Sequence, residues 1–223
     1  MNPQHHLPAD IERTSFSIIT AELDELGLTP PPENAAVVKR VIHTTADFDY
    51  AKNLRFTAGA VAAGIAALRS GTPIVTDTNM ALAGITKPGL AKLGGSALCY
   101  MADPEVARIA KETGTTRAVA SMHRAAAERP DAILAVGNAP TALLTIADEI
   151  EAGLRPALVI GVPVGFVNVV ESKERLFSVC EAHNVPCIAA MGRKGGSTIA
   201  AAICNALVYS AAEMLDPTAR GWK

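Results

Sequence analysis

The chain has 223 residues, of which 49% are hydrophobic, and a formal net charge of −2. This length favours one domain with a large core, and no apolar run reaches the roughly 18 residues needed to cross a bilayer. The slightly negative charge, with no basic run interleaved with aromatic residues, argues against a nucleic-acid-binding protein. The polar N-terminus does not resemble a signal peptide, and we predict that residues 1–9 and 217–223 are flexible.

The cysteines indicate the redox environment. Cys99, Cys180, Cys187 and Cys204 lie in apolar segments, and no pair has C-x-x-C spacing. This distribution is typical of buried thiols in a reducing compartment rather than of disulfides or metal ligands. We therefore predict a cytoplasmic protein.

The chain is predicted to begin with two helices. Asp10 can cap a first helix from Ile11 to about Leu26, which Gly27 would end. Its apolar residues predict one buried stripe, formed by Ile11, Ile18, Ile19, Leu23 and Leu26.

The second helix opens after Thr29 with three prolines, which are tolerated in a first turn. Its predicted inward residues are Val37, Val38, Val41 and Ile42. Lys39, Arg40 and His43 fall on the other face at i, i+1 and i+4, so we expect their side chains to converge. A further helical turn over 47–54, a short extended piece over 55–57 and an alanine-rich helix over 59–69 are predicted next.

Five short apolar runs, each followed by a turn and a helical pattern, are the predicted strands. They span 73–76, 97–101, 133–136, 157–160 and 187–191. Unbroken apolar runs indicate strands buried on both faces, and helical crossovers make such strands parallel. We predict an α/β fold, specifically a three-layer flavodoxin-like sandwich. Its sheet would have five parallel strands in the order 2-1-3-4-5, with extra N-terminal helices.

Ligands of such folds bind beyond the carboxyl ends of the strands. The candidate ligand contacts at these ends are Asp77, Asn79, Asn138, Arg193, Lys194 and Gly195. The last three belong to a segment, 193–197, that combines two cations with a helix start, and this arrangement is suited to anions. Arg117 lies at another predicted helix start, where a guanidinium can hold a carboxylate.

Several motifs are absent from the sequence. It lacks both G-x-x-x-x-G-K-S/T and G-x-G-x-x-G after a strand, which disfavours a nucleotide cofactor. It also lacks the G-x-S-x-G turn of serine hydrolases. No cluster of His, Cys, Asp and Glu has metal-ligand spacing, so we predict no metal site.

His43 is the candidate acid–base residue, because such a group must titrate near neutrality. Lys39 and Arg40 would favour its neutral form, and an acidic ligand would favour the charged form. The alternative is a structural histidine that interacts with the helix dipole. The residues alone leave open a phosphate-binding enzyme, an isomerase of an acidic metabolite and a non-catalytic carrier.

Five blocks resemble those of the precorrin-8X methylmutase family and its cobalt-containing counterpart. They occur in family order between Arg13 and Asn205, and they are Arg13-Thr-Ser-Phe-Ser-Ile-Ile19, Arg40-Val-Ile-His-Thr-Thr-Ala-Asp47, Gly137-Asn-Ala-Pro-Thr-Ala142, Gly161-Val-Pro-Val-Gly-Phe-Val167 with Glu171-Ser-Lys173, and Gly192-Arg-Lys-Gly-Gly-Ser197. The resemblance implies an isomerase of cobalamin biosynthesis. Such an enzyme moves a methyl group from C-11 to C-12 of precorrin-8X or cobalt-precorrin-8, giving hydrogenobyrinate or cobyrinate. It also implies a homodimer with pockets near the subunit interface.

The resemblance also assigns roles to individual residues. It implies that His43 protonates a ring nitrogen of the tetrapyrrole and that Ser15 contacts the substrate. Thr14 interrupts the family's direct Arg-Ser step, so Arg13 departs from the family pattern. A sigmatropic shift requires neither a nucleophile nor a redox cofactor, and none is expected. From position alone, we infer which cations contact the substrate's carboxylates: Arg117, Arg193 and Lys194, together with Arg40 and Lys39.

Overall fold

A mixed six-stranded sheet with helices on both faces forms the centre of the molecule, for which a computed structural model describes residues 7–221. In chain order the elements are α1 (Pro8–Glu25), α2 (Ala35–Thr45), α3 (Tyr50–Asn53), β1 (Leu54–Phe56), α4 (Ala60–Arg69), β2 (Ile74–Thr76), α5 (Asn79–Gly84), α6 (Lys87–Lys92), β3 (Ala97–Leu98), α7 (Pro104–Glu112), α8 (Arg117–Glu128), β4 (Ile133–Val136), α9 (Pro140–Glu151), β5 (Leu158–Gly161), α10 (Val169–Ala182), β6 (Cys187–Ala190), α11 (Ser197–Ala211) and a C-terminal 3-10 helix (Pro217–Arg220).

The strand order is β1-β6-β5-β4-β2-β3, in which β1 is antiparallel to β6 and the other neighbours are parallel. Counted from β2, the parallel strands lie in the order 2-1-3-4-5. The predicted α/β class is confirmed. The prediction of five strands, all parallel, is wrong, because Leu54–Phe56 pairs with β6 as a sixth, antiparallel edge strand. Such an edge strand is common on an otherwise parallel sheet.

The central strands are buried on both faces, as their apolar runs predict. Alternate residues enter opposite cores, since successive side chains of a strand point to opposite sides. Ile133 and Ala135 pack with α2, α4 and α11, whereas Leu134 and Val136 pack with α8, α9 and α10. The sheet therefore separates two helical layers, and α2 and α8 lie on opposite faces.

Helix α1 does not bury the single predicted stripe. Ile19 and Leu23 are buried, but Ile11, Ile18 and Leu26 are about half exposed. Neighbouring residues of a helix point about 100° apart, so Ile18 and Ile19 cannot share one narrow face. The buried face instead includes Glu12, which is 4% exposed. In α2 the four predicted inward residues are buried.

Parts of the two segments predicted to be flexible belong to helical elements at the ends of the described chain. Pro8 and Ala9 begin α1, and Pro217 is buried in the C-terminal 3-10 helix. Arg13 fixes that segment through an ion pair of 2.9 Å with Asp216. The remaining residues of the two predicted flexible segments, 1–6 and 222–223, lie outside the described part.

Among residues 7–221, no helix combines the length and the apolar character required to span a bilayer.

Candidate active site

The loops that follow β4, β5 and β6 meet at the carboxyl edge of the sheet, and glycines allow their close approach. A Cβ on Gly195 would lie 2.2 Å from the Val162 carbonyl oxygen, and one on Gly137 would lie 2.7 Å from the Ser197 Cα. The Gly196 amide donates a hydrogen bond of 2.8 Å to the Val162 carbonyl. Gly195, predicted as a ligand contact, is thus required by loop packing.

Asp77 supports the loop after β4. The residue is 1% exposed, and its carboxylate accepts hydrogen bonds of 2.8, 2.8 and 2.9 Å from the amides of Gly137, Asn138 and Ala139. Burial raises its pKa, although these three bonds oppose the change. We predicted a ligand contact here, but the buried carboxylate instead fixes the loop that presents Asn138.

Lys173 supports the loop after β6 in the same way. Its side chain is completely buried, and its Nζ donates bonds of 2.8 Å to the carbonyls of Gly192 and Lys194. Burial lowers the pKa of this amine to about 8. The sequence analysis gave Lys173 no role. A signal of its burial was available, because Lys173 lies on the same face of α10 as the buried residues Ser172, Leu176 and Phe177.

The two cations of that loop differ in their contacts. Lys194 Nζ lies 2.6 Å from Asp47 and 2.7 Å from Asp49, which raises the pKa of the amine and lowers that of Asp47. Lys194 therefore joins the loop after β6 to the segment that follows α2. Arg193 is exposed, and its guanidinium carbon lies 5.5 Å from the ring centroid of Phe166.

His43 lines an open pocket of about 380 Å³ between α1, α2, α11 and the C-terminal 3-10 helix. Its imidazole stacks on Phe16 with ring centroids 5.0 Å apart and planes 22° apart. The other polar side chains of the pocket include Glu12, Arg40, Asn205, Tyr209 and Arg220. The structure therefore brings together His43 and Arg40, as predicted, while Lys39 is not among the lining residues.

A buried carboxylate between two guanidinium groups controls the charge of this pocket. Glu12 Oε1 lies 2.7 Å from Nη2 of both Arg40 and Arg220. Burial would raise the pKa of Glu12, but the two cations hold it below its usual value. Partial burial and the Arg40 charge lower the pKa of His43. The imidazole of the ligand-free protein is therefore biased towards its neutral form.

The other predicted ligand contacts are dispersed. Ser15 donates a hydrogen bond of 2.9 Å to the Ile11 carbonyl and is not among the residues that line the pocket. Three of them are exposed: Asn79 at the start of α5, Arg117 at the start of α8, and Asn138 in the loop before α9.

Arg117 lies near the same edge of the sheet as the glycine-rich loops. The hydroxyl of Thr116, the preceding residue, is 3.4 Å from that of Thr141 in the first turn of α9. However, α8 packs on the face of the sheet opposite α2. Arg117 and His43 therefore lie on opposite sides of the sheet.

Within the described part of the chain, His, Cys, Asp and Glu form no group of three that could hold a metal ion.

Comparisons with known proteins agree with the resemblance. Residues 10–210 match the precorrin-8X methylmutase family. The chain is 46% identical to the cobalt-precorrin-8 methylmutase of Salmonella typhimurium over 91% of its length and 95% of the relative's. It is 39% identical to the precorrin-8X methylmutase of Pseudomonas aeruginosa over 88% and 93% of the two lengths. This chain belongs to the precorrin-8X methylmutase family.

A solved structure supports the same assignment. The precorrin-8X methylmutase of Thermus thermophilus superposes with a TM-score of 0.81 at 42% identity, covering 92% of this chain and 96% of that one. This member of the methylmutase family is accordingly an isomerase of cobalamin biosynthesis. The assignment favours the isomerase over the non-catalytic carrier and the phosphate-binding enzyme that the residues alone left open.

Proposed function

We propose that this methylmutase moves a methyl group from C-11 to C-12 of precorrin-8X or cobalt-precorrin-8, with His43 as the proton donor. The pocket around His43 is the observation that carries the proposal. It combines one imidazole, biased towards neutrality, with the guanidinium groups of Arg40 and Arg220. Substrate carboxylates that approach these cations would raise the pKa of the imidazole, so substrate binding itself would supply the acid.

The proposed reaction needs little chemistry from the protein. His43 gives a proton to a ring nitrogen, the bond from the methyl group to C-11 breaks as the bond to C-12 forms, and the proton returns to His43. Atoms balance because substrate and product are isomers. Holding the macrocycle in a reactive geometry then provides much of the rate enhancement.

We infer that the edge of the sheet holds the carboxylates of the tetrapyrrole. Arg117 and Arg193 are exposed cations at this edge, and Asn79 and Asn138 add exposed amides. Lys194 is paired with two carboxylates in the free protein, so a substrate carboxylate would compete with Asp47 and Asp49 for it. Ser15 remains a proposed contact on the family resemblance.

We also propose a homodimer and a cytoplasmic location. Leu7, which precedes α1, and Ile11 and Ile18 on one face of that helix are about half exposed, and Ile11 also lines the His43 pocket. An exposed apolar stripe at the border of a site supports a subunit interface near that site. The four free cysteines support a reducing compartment.

The test is the visible absorption of the protein incubated with each candidate substrate, since the shift changes the conjugated system. We expect His43→Ala to retain product binding and to lower turnover on the order of 100-fold or more. His123→Ala is the matched control, because His123 pairs with Glu149 on the opposite face of the sheet. Full activity of His43→Ala would remove His43 from the mechanism, and tight product binding without turnover in the wild type would indicate a carrier.

A further inference from the structure

The C-terminal 3-10 helix brings a second guanidinium to the His43 pocket. Arg220 and Arg40 approach the same carboxylate oxygen of Glu12 at 2.7 Å. The side chains of these three residues are only 5–11% exposed. Glu12 therefore connects α1 both to α2 and to the C-terminal end of the described chain, in a region where water screens charges weakly.

Aromatic rings contact both the guanidinium groups and the imidazole. The guanidinium carbon of Arg40 lies 4.6 Å from the ring centroid of Phe16, and Phe16 stacks on His43. The Tyr209 ring lies 5.3 Å from the Arg40 guanidinium carbon and 4.6 Å from that of Arg220.

These contacts form two successive links between α1 and α2. Glu12 and Phe16 are one turn apart on α1, and Arg40 and His43 are nearly one turn apart on α2. The Glu12–Arg40 ion pair and the Phe16–His43 stack are thus adjacent contacts of one interface. A change in the buried ion pair should consequently affect the imidazole.

We propose that Glu12, Arg40 and Arg220 form a positioning cluster, which orients His43 and sets the pH at which its imidazole takes up a proton. The guanidinium groups of Arg40 and Arg220 disfavour the imidazolium of His43, and the carboxylate of Glu12 favours it. The significance of the cluster for catalysis rests on His43 being the proposed proton donor. Its effect on the imidazole does not require substrate.

The charged groups that face His43 act in opposite directions. Loss of water from around the ring lowers the pKa of His43, and the cations of Arg40 and Arg220 lower it further. The Glu12 carboxylate raises it. Removing Glu12 or Arg220 should therefore move the titration of His43 in opposite directions. A general loosening of the pocket would move both variants in the same direction, towards an ordinary histidine.

The test is an NMR titration of the histidines in the full-length, substrate-free protein, with His43→Gln used for assignment. We expect the pKa of His43 to fall below the wild-type value in Glu12→Gln and to rise above it in Arg220→Met. Arg175→Met is the matched control, because Arg175 forms exposed ion pairs with Asp148 and Glu151 on the other face of the sheet. It should leave the titration of His43 unchanged.

Opposite shifts support the cluster, and two unchanged values or two shifts of the same sign overturn it. If Glu12→Gln fails to fold in a thermal melt, Arg220→Met and Arg220→Lys decide. A raised pKa in the first and a wild-type value in the second support the proposal, whereas equal values overturn it. Because substrate is absent, failure of the proposed methyl shift would leave this result unaffected. With substrate, the basic limb of the pH profile of turnover should move in the same direction as the titration.

Discussion

The burial of Lys173 beneath the loop after β6 can be tested quantitatively through the pH dependence of the free energy of unfolding. Burial lowers the pKa of its amine from 10.5 to about 8 in the folded protein. Between these pH values the folded protein has lost this proton while the unfolded chain still binds it, so the free energy of unfolding rises with pH. At about 1.4 kcal/mol per pH unit, the rise amounts to about 3 kcal/mol.

The perturbation is Lys173→Met, which keeps a flexible apolar side chain and removes the titrating amine. Urea unfolding of both proteins at pH 7 and pH 10.5 gives the difference in their free energies of unfolding at each pH. We expect the wild type to gain about 3 kcal/mol relative to the variant between these two pH values. The titrations of tyrosine and cysteine occur in both proteins and cancel in the comparison.

Lys111→Met is the matched control, because Lys111 is exposed on α7, and its difference from the wild type should not vary with pH. A difference between wild type and Lys173→Met that stays constant within about 1 kcal/mol would refute the reasoning. The amine would then titrate similarly in the folded and unfolded states, contrary to its complete burial.

Three further perturbations test the loops at this edge. Gly195→Ala places a Cβ 2.2 Å from the Val162 carbonyl, so we expect a lower melting temperature and weaker substrate binding, and unchanged values would contradict the packing. Asp77→Asn replaces an acceptor of three backbone hydrogen bonds with an amide, and urea unfolding should show a loss of about 2–3 kcal/mol. Lys194→Ala should raise KM because it removes a cation that would bind a substrate carboxylate, whereas Asp47→Asn should lower KM because it removes a competitor for that cation. The double variant should then resemble Lys194→Ala. Additive effects would instead indicate that the two side chains act independently.

The sequence predicted the sheet where the signal was local. The strands from Ile133 to Ala190 are unbroken apolar runs with glycine at or after their ends, and all lie buried in parallel pairing. For β1 the sequence predicted only a short extended piece over 55–57 and no place in the sheet, because the three residues Leu54-Arg-Phe56 carry too little pattern to indicate a strand. Its pairing with β6 depends on a segment more than 130 residues away.

In the candidate site, too, contacts between residues close in sequence could be predicted, and contacts between residues far apart in sequence could not. The position of His43 beside Arg40 follows from helical spacing and could be predicted. The burial of Glu12 could not, because an isolated carboxylate would not be buried without the cations that neutralise it, and Arg220 arrives from the other end of the chain. Lys194 was predicted to face a ligand, but its two carboxylate partners lie 145 and 147 residues away in sequence.

The proposed substrate is a polyanion, and the distribution of charge shows how a slightly acidic chain could accommodate it. Its net charge of −2 describes the whole surface, whereas binding depends on the local potential of a site. Arg40 and Arg220 place two guanidinium groups at the His43 pocket, and Arg117 adds another on the opposite side of the sheet. A single ligand that contacts both the pocket and Arg117 would have to reach from the α2 face of the sheet to the α8 face. A large, flat molecule with carboxylates around its edge meets this requirement, and a small anion would reach only one of the two sides.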